Sequence, residues 1–151
     1  MAAAGVRIRV AVCVCRDQEI LLVEHEKNSH RYWLLPGGGV EVGEGMADAA
    51  AREFLEETGY RVAVGRLLLV CEAIEPGGRH IVNLVFAGRA AGGELAVGRD
   101  RSLRDARWQP RSALTALEMY PPIGPAVEQC WSEQFDGPVR FLGNVWQPRT
   151  D

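Results

Sequence analysis

GGVEVGEGMADAAAREFLEETGY, residues 38–60, holds both the clearest helix of the chain and its densest group of carboxylates. From residue 46 to residue 58 Ala, Glu, Arg and Leu predominate and Pro and Gly are absent, which predicts a helix. Gly45 takes the N-cap position, where glycine is tolerated although it brings no side-chain oxygen. Asp48 puts a negative charge into the first turn, favourable to the helix dipole. Gly59 follows the last turn, where a residue free to turn left-handed closes a helix. The pattern assigns Ala47, Ala50, Ala51, Phe54 and Leu55 to the packing side. Glu53, Glu56 and Glu57 stand at i, i+3 and i+4 and are expected together on the other side.

Like charges one turn apart cost a helix about 0.2–0.5 kcal/mol per pair, of which Arg52, four residues before Glu56, offsets a part. A solvated acidic face is the ordinary reading of such a cluster. The alternative is a site for hard divalent cations, which take oxygen ligands and work together with substrate phosphates. The spacing favours the second. Gly38, Glu44, Arg52-Glu53, Glu56-Glu57 and Gly59 reproduce all seven fixed positions of G-x5-E-x7-R-E-U-x-E-E-x-G-U, where U is bulky and apolar, and Phe54 and Tyr60 fill the U positions. On these residues the chain resembles the Nudix hydrolase family, to which the MutT-like enzymes belong.

The resemblance implies an α/β fold, a Nudix-type α/β/α sandwich with a mixed β-sheet. It implies hydrolysis of a pyrophosphate linkage in a nucleoside diphosphate joined to another group, with Mg2+ or Mn2+ as the cofactor. Glu53, Glu56 and Glu57 with the carbonyl of Gly37 become the implied metal ligands, Glu53 being either ligand or base. Arg52 is expected to orient a carboxylate, and Glu44 to brace the loop or reach a metal through water. The glycines of Pro36-Gly37-Gly38-Gly39 let the backbone approach a ligand closely. One departure stands out. Many members carry a further Glu six residues before the Trp of a late strand; counting back from Trp108, that position is Ser102. Asp105, Asp100 and Glu94 are acidic substitutes nearby, so the general base stays open between Glu53 and a loop acid.

Substrate choice rests on less. Pro76 lies 16 positions beyond Tyr60, about where ADP-ribose-hydrolysing relatives carry a Pro, although Pro76-Gly77-Gly78 is also an ordinary turn. The segment from Tyr120 to Pro125 resembles the region where MutT-like enzymes recognise an oxidised guanine, without the Asn that would read the base. ADP-ribose or a nucleotide sugar therefore ranks first. A (d)NTP pyrophosphohydrolase of MutT type and a non-catalytic nucleotide-binding regulator are the alternatives. Arg31, His80 and Tyr120 are further candidates for substrate contacts, as are Arg101 and Arg104; Trp33 is assigned to packing. An isoprenoid-diphosphate isomerase would need catalytic motifs that the chain lacks.

The 151 residues, 47% apolar and 25% charged, suit one domain over residues 1–151. A net charge of −3 argues against a nucleic acid polymer as partner but not against a small nucleotide. No apolar run approaches the roughly 20 residues of a membrane helix, and MAAAGVRIRV lacks the layout of a signal peptide, so a cytoplasmic protein is expected. A homodimer is compatible with all of this. Cys13, Cys15, Cys71 and Cys130 show no zinc spacing and read as small core residues.

Around the helix, residues 6–15 predict a strand with one polar-flanked face, residues 20–24 its return strand and residues 25–31 a polar loop. Residues 32–35, 61–75, 80–89 and 103–109 predict further strands, the last like the Trp-ended strand of many Nudix proteins. Residues 90–100 read as loop, 111–117 and 124–135 as helices, and 139–146 as a final strand.

Overall fold

The strand Arg7–Arg16 (β1) runs through the middle of the fold, and Val10, Ala11, Val12, Cys13 and Val14 are all buried. Val10, Val12 and Val14 pack with Ala49, Ala50 and Phe54 of the helix Met46–Thr58 (α1). Ala11 and Cys13 face the opposite way, into a second cluster with Leu114, Ile123, Val127, Cys130 and Trp131. A strand covered on both faces reads as a continuous apolar run. The expected polar-flanked face is thus confined to the first residues of β1.

The computed structural model describes residues 5–149. The remaining strands are Glu19–Lys27 (β2), His30–Leu34 (β3), Gly37–Gly39 (β4), Tyr60–Ile74 (β5), His80–Gly93 (β6), Leu103–Pro110 (β7) and Arg140–Asn144 (β8). Two short helices, Ala113–Ala116 (α2) and Gly124–Ser132 (α3), carry the residues of the second cluster. The sheet runs β3-β2-β1-β6-β5-β8, with β4 set against β1 and β7 against β2. β1–β6 and β5–β8 are parallel and the other pairings antiparallel. This is a mixed sheet between α1 on one face and α2 with α3 on the other, the α/β/α sandwich expected. Among the described residues no helix is long and apolar enough to cross a membrane.

Several local readings shift. Residues 25–31 are not a loop: β2 continues to Lys27, Asn28 and Ser29 make a tight turn with φ of 53° and 62°, and β3 begins at His30. Polar side chains at a two-sided strand end hid the pairing. β6 extends to Gly93, into the stretch expected as loop, because it pairs with β5 as far as Tyr60. β4 consists of three glycines, a composition that weakens a strand and hides it from pattern reading.

The helix α1 also sits in a different rotation from the one its apolar residues suggest. Ala49, Ala50, Phe54, Glu57 and Thr58 are buried, whereas Ala47 and Leu55 are exposed. The buried face includes a carboxylate because the structure supplies that carboxylate with polar partners.

Candidate active site

Those partners begin with β4. Gly38 pairs with Val10, flanked by bonds from Val12 N to the Pro36 carbonyl and from Val40 N to the Ile8 carbonyl, each 3.0 Å. In that register Gly37 and Gly39 turn their backbone groups away from β1. Gly37 N donates to Glu57 Oε1 at 2.7 Å, and the Gly39 carbonyl accepts from Arg52 Nη2 at 3.2 Å. A Cβ at position 37 would overlap the Val10 carbonyl oxygen and stand 2.7 Å from Ala11 Cα. One at position 38 would overlap the Glu53 carboxylate, 2.6 Å from Oε1. The glycines let α1 lay its carboxylates directly on the backbone.

Glu57 is the deepest of them, 5% exposed. Its Oε2 lies 2.9 Å from His25 Nε2, and His25 Nδ1 lies 2.9 Å from Ser102 Oγ. Ser102 in turn donates from Oγ and from its backbone N to Asp100 Oδ1, at 2.8 and 2.9 Å. These two bonds hold the Asp100 carboxyl below its usual range. Arg9, on β1, donates to the Leu35 carbonyl at 3.1 Å. Burial pushes its guanidinium down, against the upward pull of Glu57 and Glu53.

Around the rim Arg52 gathers the other carboxylates. Its Nε and Nη2 grip Glu44 at 2.7 and 2.9 Å, and its Nη1 reaches Glu53 at 3.0 Å and Glu56 at 3.4 Å. Glu44, held also by the backbone N of Glu41, is lowered to about 2, chiefly by the Arg52 hydrogen bonds. Arg52 rises correspondingly, Glu44 first among the causes. Glu53 moves the other way: burial raises it despite Arg52 beside it. Glu56 remains 58% exposed in its side chain. The three glutamates therefore do not share one outward face. Glu53 and Glu57 reach in against the glycines, and Glu56 stands outside them.

The donor set of Glu53, Glu56, Glu57 and the Gly37 carbonyl is all oxygen, as hard divalent cations require. Among the described residues no three His, Cys, Asp or Glu side chains converge as a ready cation cage. Glu56 would have to leave Arg52 and swing inward to complete one. The chemistry of the donors fits, and the convergence needs a side-chain rotation.

The other candidates spread around the fold. Arg31 pairs with Glu24 and Glu26 at the surface, and Arg104 joins Glu26. Asp105 pairs with Arg107, and His80 with Glu72. Pro76 lies exposed in the β5–β6 turn. Trp33 packs against the core cluster of α2 and α3. Tyr120 lines an open cleft of about 270 Å³ with Tyr32, Glu118 and Arg149. The Tyr32 and Tyr120 rings meet edge to face at 6.0 Å, and the Arg149 guanidinium lies over both, at 5.4 and 5.8 Å. Tyr32 also stacks on His25 at 6.1 Å, so this cleft adjoins the carboxylates through the His25 ring.

Sequence reasoning passed over Arg9, His25 and the partnership of Ser102 with Asp100. An Arg inside the β-branched run of β1 was one available signal. Another is Ser102 itself, six residues before Trp108, with Asp100 two residues before it.

The NUDIX domain family model matches residues 5–130. The chain is 34% identical over 121 residues to the 8-oxo-dGDP phosphatase NUDT18 of Homo sapiens, covering 74% of this chain and 36% of that protein. It is 39% identical over 87 residues to an ADP-ribose pyrophosphatase of Methanocaldococcus jannaschii, covering 56% and 52%. The chain thus spans about a third to a half of the length of these relatives. Among solved structures, a NUDIX hydrolase from Nitrosomonas europaea superposes with a TM-score of 0.72 at 24% identity, covering 87% of this chain and 89% of that one. A UDP-X diphosphatase superposes with the same TM-score at 21% identity, covering 93% and 69%. Both likenesses concern the fold.

Proposed function

The chain belongs to the NUDIX family, and from that premise we propose that it is a divalent-metal-dependent pyrophosphohydrolase of a nucleoside diphosphate-X, with ADP-ribose or a nucleotide sugar ranked first. The observation that carries this reading is the seating of Glu53 and Glu57 on a glycine strand, beside an aromatic cleft. Glu53, Glu56, Glu57 and the Gly37 carbonyl would hold Mg2+ or Mn2+. When bound, such an ion supplies charge neutralisation for the diphosphate and a water of lowered pKa.

The chain's own residues do the rest. Arg52 fixes Glu44 and Glu53 by charge-assisted hydrogen bonds and keeps Glu56 within reach of the site. Gly37 N and His25 hold the two oxygens of Glu57. Tyr32 and Tyr120 offer ring faces and edges to a base, and Arg149 a positive charge. The protein is read as acting in the cytoplasm on a small nucleotide, as a monomer or homodimer.

An 8-oxo-dGDP-like substrate is the second reading, favoured by the relative that matches 74% of this chain. The missing Asn in the 120–125 segment weighs against it. The test is a substrate panel with Mg2+ and Mn2+, containing ADP-ribose, UDP-sugars, 8-oxo-dGDP and nucleoside triphosphates. ADP-ribose should yield AMP and ribose phosphate with the highest kcat/KM. A preference of about tenfold or more for 8-oxo-dGDP or for triphosphates, roughly 1.4 kcal/mol of transition-state binding, overturns the ranking.

A further inference from the structure

Four elements meet in one line of hydrogen bonds: Asp100 and Ser102 before β7, His25 on β2, Glu57 on α1 and Gly37 on β4. The donor inventory fixes its direction. An ionised Asp100 carboxylate can only accept, so the single hydroxyl hydrogen of Ser102 is spent on it. Ser102 Oγ then meets His25 with a lone pair, and His25 Nδ1 must donate. At the far end Glu57 Oε1 already accepts from Gly37 N, and Oε2 at 2.9 Å from His25 Nε2 requires a proton between them. The roles are fixed as far as Nδ1; at the far end the proton lies on Nε2 when Glu57 is the ionised ligand proposed above.

We propose that His25, fixed by Ser102 and Asp100, is a positioning residue that orients the Glu57 carboxylate for its work as a ligand. The proposal rests on the metal reading above and adds the residues that make it work. Glu57 has two oxygens and two tethers. Gly37 N, part of a strand, sets where Oε1 lies. His25 sets the rotation of the carboxyl plane about that point. Ser102 fixes the second nitrogen of the imidazole, whose face stacks on Tyr32 at 6.1 Å between ring centroids. Ser102 occupies the position, six residues before Trp108, at which many members of the family carry a Glu. In this chain that position acts at one remove, by steering a carboxylate that comes from α1. Outer partners of metal ligands typically change metal affinity or activity by about 10–100-fold when removed.

Paired substitutions separate positioning from packing. H25Q places an amide N–H near the position of Nε2 and keeps the donor to Glu57. H25N places one near Nδ1, keeps the bond to Ser102 and leaves Glu57 without its tether. Mn2+ binding to the protein alone, read by calorimetry, should weaken about tenfold or more in H25N and by less, about threefold, in H25Q, which keeps the tether to Glu57 but loses the bond to Ser102. Turnover should follow the same order, carried by kcat with KM little changed. Equal binding and turnover in H25Q and H25N would overturn the proposal, because a packing role does not distinguish them. The metal-free protein gives an independent reading by nitrogen NMR of the His25 ring. Nδ1 should be protonated, and S102A and D100N should both shift its resonance. An unprotonated Nδ1, or no response to S102A, overturns the chain as drawn. If wild-type protein binds no Mn2+, the metal reading falls, and the NMR measurement alone decides the positioning chain.

Discussion

The carboxylate of Glu53 fills the space that a Cβ at Gly38 would need, with Oε1 2.6 Å from that point. The neighbouring Gly37 is confined by backbone instead, by the Val10 carbonyl and Ala11 Cα. The two glycines should therefore fail differently. G37A forces β4 away from β1 and is expected to cost about 1–3 kcal/mol, as overpacking does. G38A can be relieved by moving the Glu53 side chain, so it should cost less than about 1 kcal/mol while lowering kcat. Urea denaturation alongside turnover checks both. G38A protein with wild-type kcat would show that the position of Glu53 does not matter to the reaction.

Glu56 and Glu57 are adjacent in sequence and opposite in environment. E56Q and E57Q should each lower kcat by about a hundredfold or more, because each removes an anionic oxygen pair proposed for the metal. Stability should separate the residues. E56A leaves an exposed position and should stay within about 0.5 kcal/mol of wild type. E57A strips the acceptor from buried Gly37 N and from His25, at about 1–3 kcal/mol for each donor left unsatisfied. Equal stability of the two alanine variants would contradict the burial described for Glu57.

Arg111 and Glu128 join the end of β7 to α3 through paired bonds of 2.7–3.0 Å, and the guanidinium also lies 4.7 Å over the Trp131 ring. The Arg111 hydrogen bonds hold the Glu128 carboxyl below its ordinary value of 4.5. A carboxyl lowered by folding contributes stability that is present above its unfolded value and lost as pH falls through its folded value. The stability difference between wild type and E128Q should thus be largest near neutral pH and close as pH drops below about 4.5. Urea midpoints across that range measure it. A difference that persists unchanged at the acid end would mean that the Glu128 charge is not its source.

The spacing of residues 38–60 was enough to identify the helix, its glycine stop and the family, because the motif is local in the chain and each fixed residue has its own reason to be there. The apolar runs gave most strands for the same reason: alternation and β-branching act over a few residues. What lay beyond the sequence depended on partners distant along the chain. Ala47 and Leu55 look like core residues by composition, yet α1 turns them outward. The reason is that Glu57 finds Gly37 N, 20 residues before it, and His25, 32 residues before it, both only within the folded sheet. β4 was illegible because three glycines carry no pattern and become a strand only against β1. His25 looked like part of a polar loop until β2 and β7 paired and brought Ser102, 77 residues away, onto its other nitrogen. The sequence by itself singled out Glu53, Glu56 and Glu57 as candidate carboxylates. The tertiary structure decided which of them are buried, and in what orientation they are held, because burial of a charge is tolerated only where folding delivers its hydrogen-bond partners.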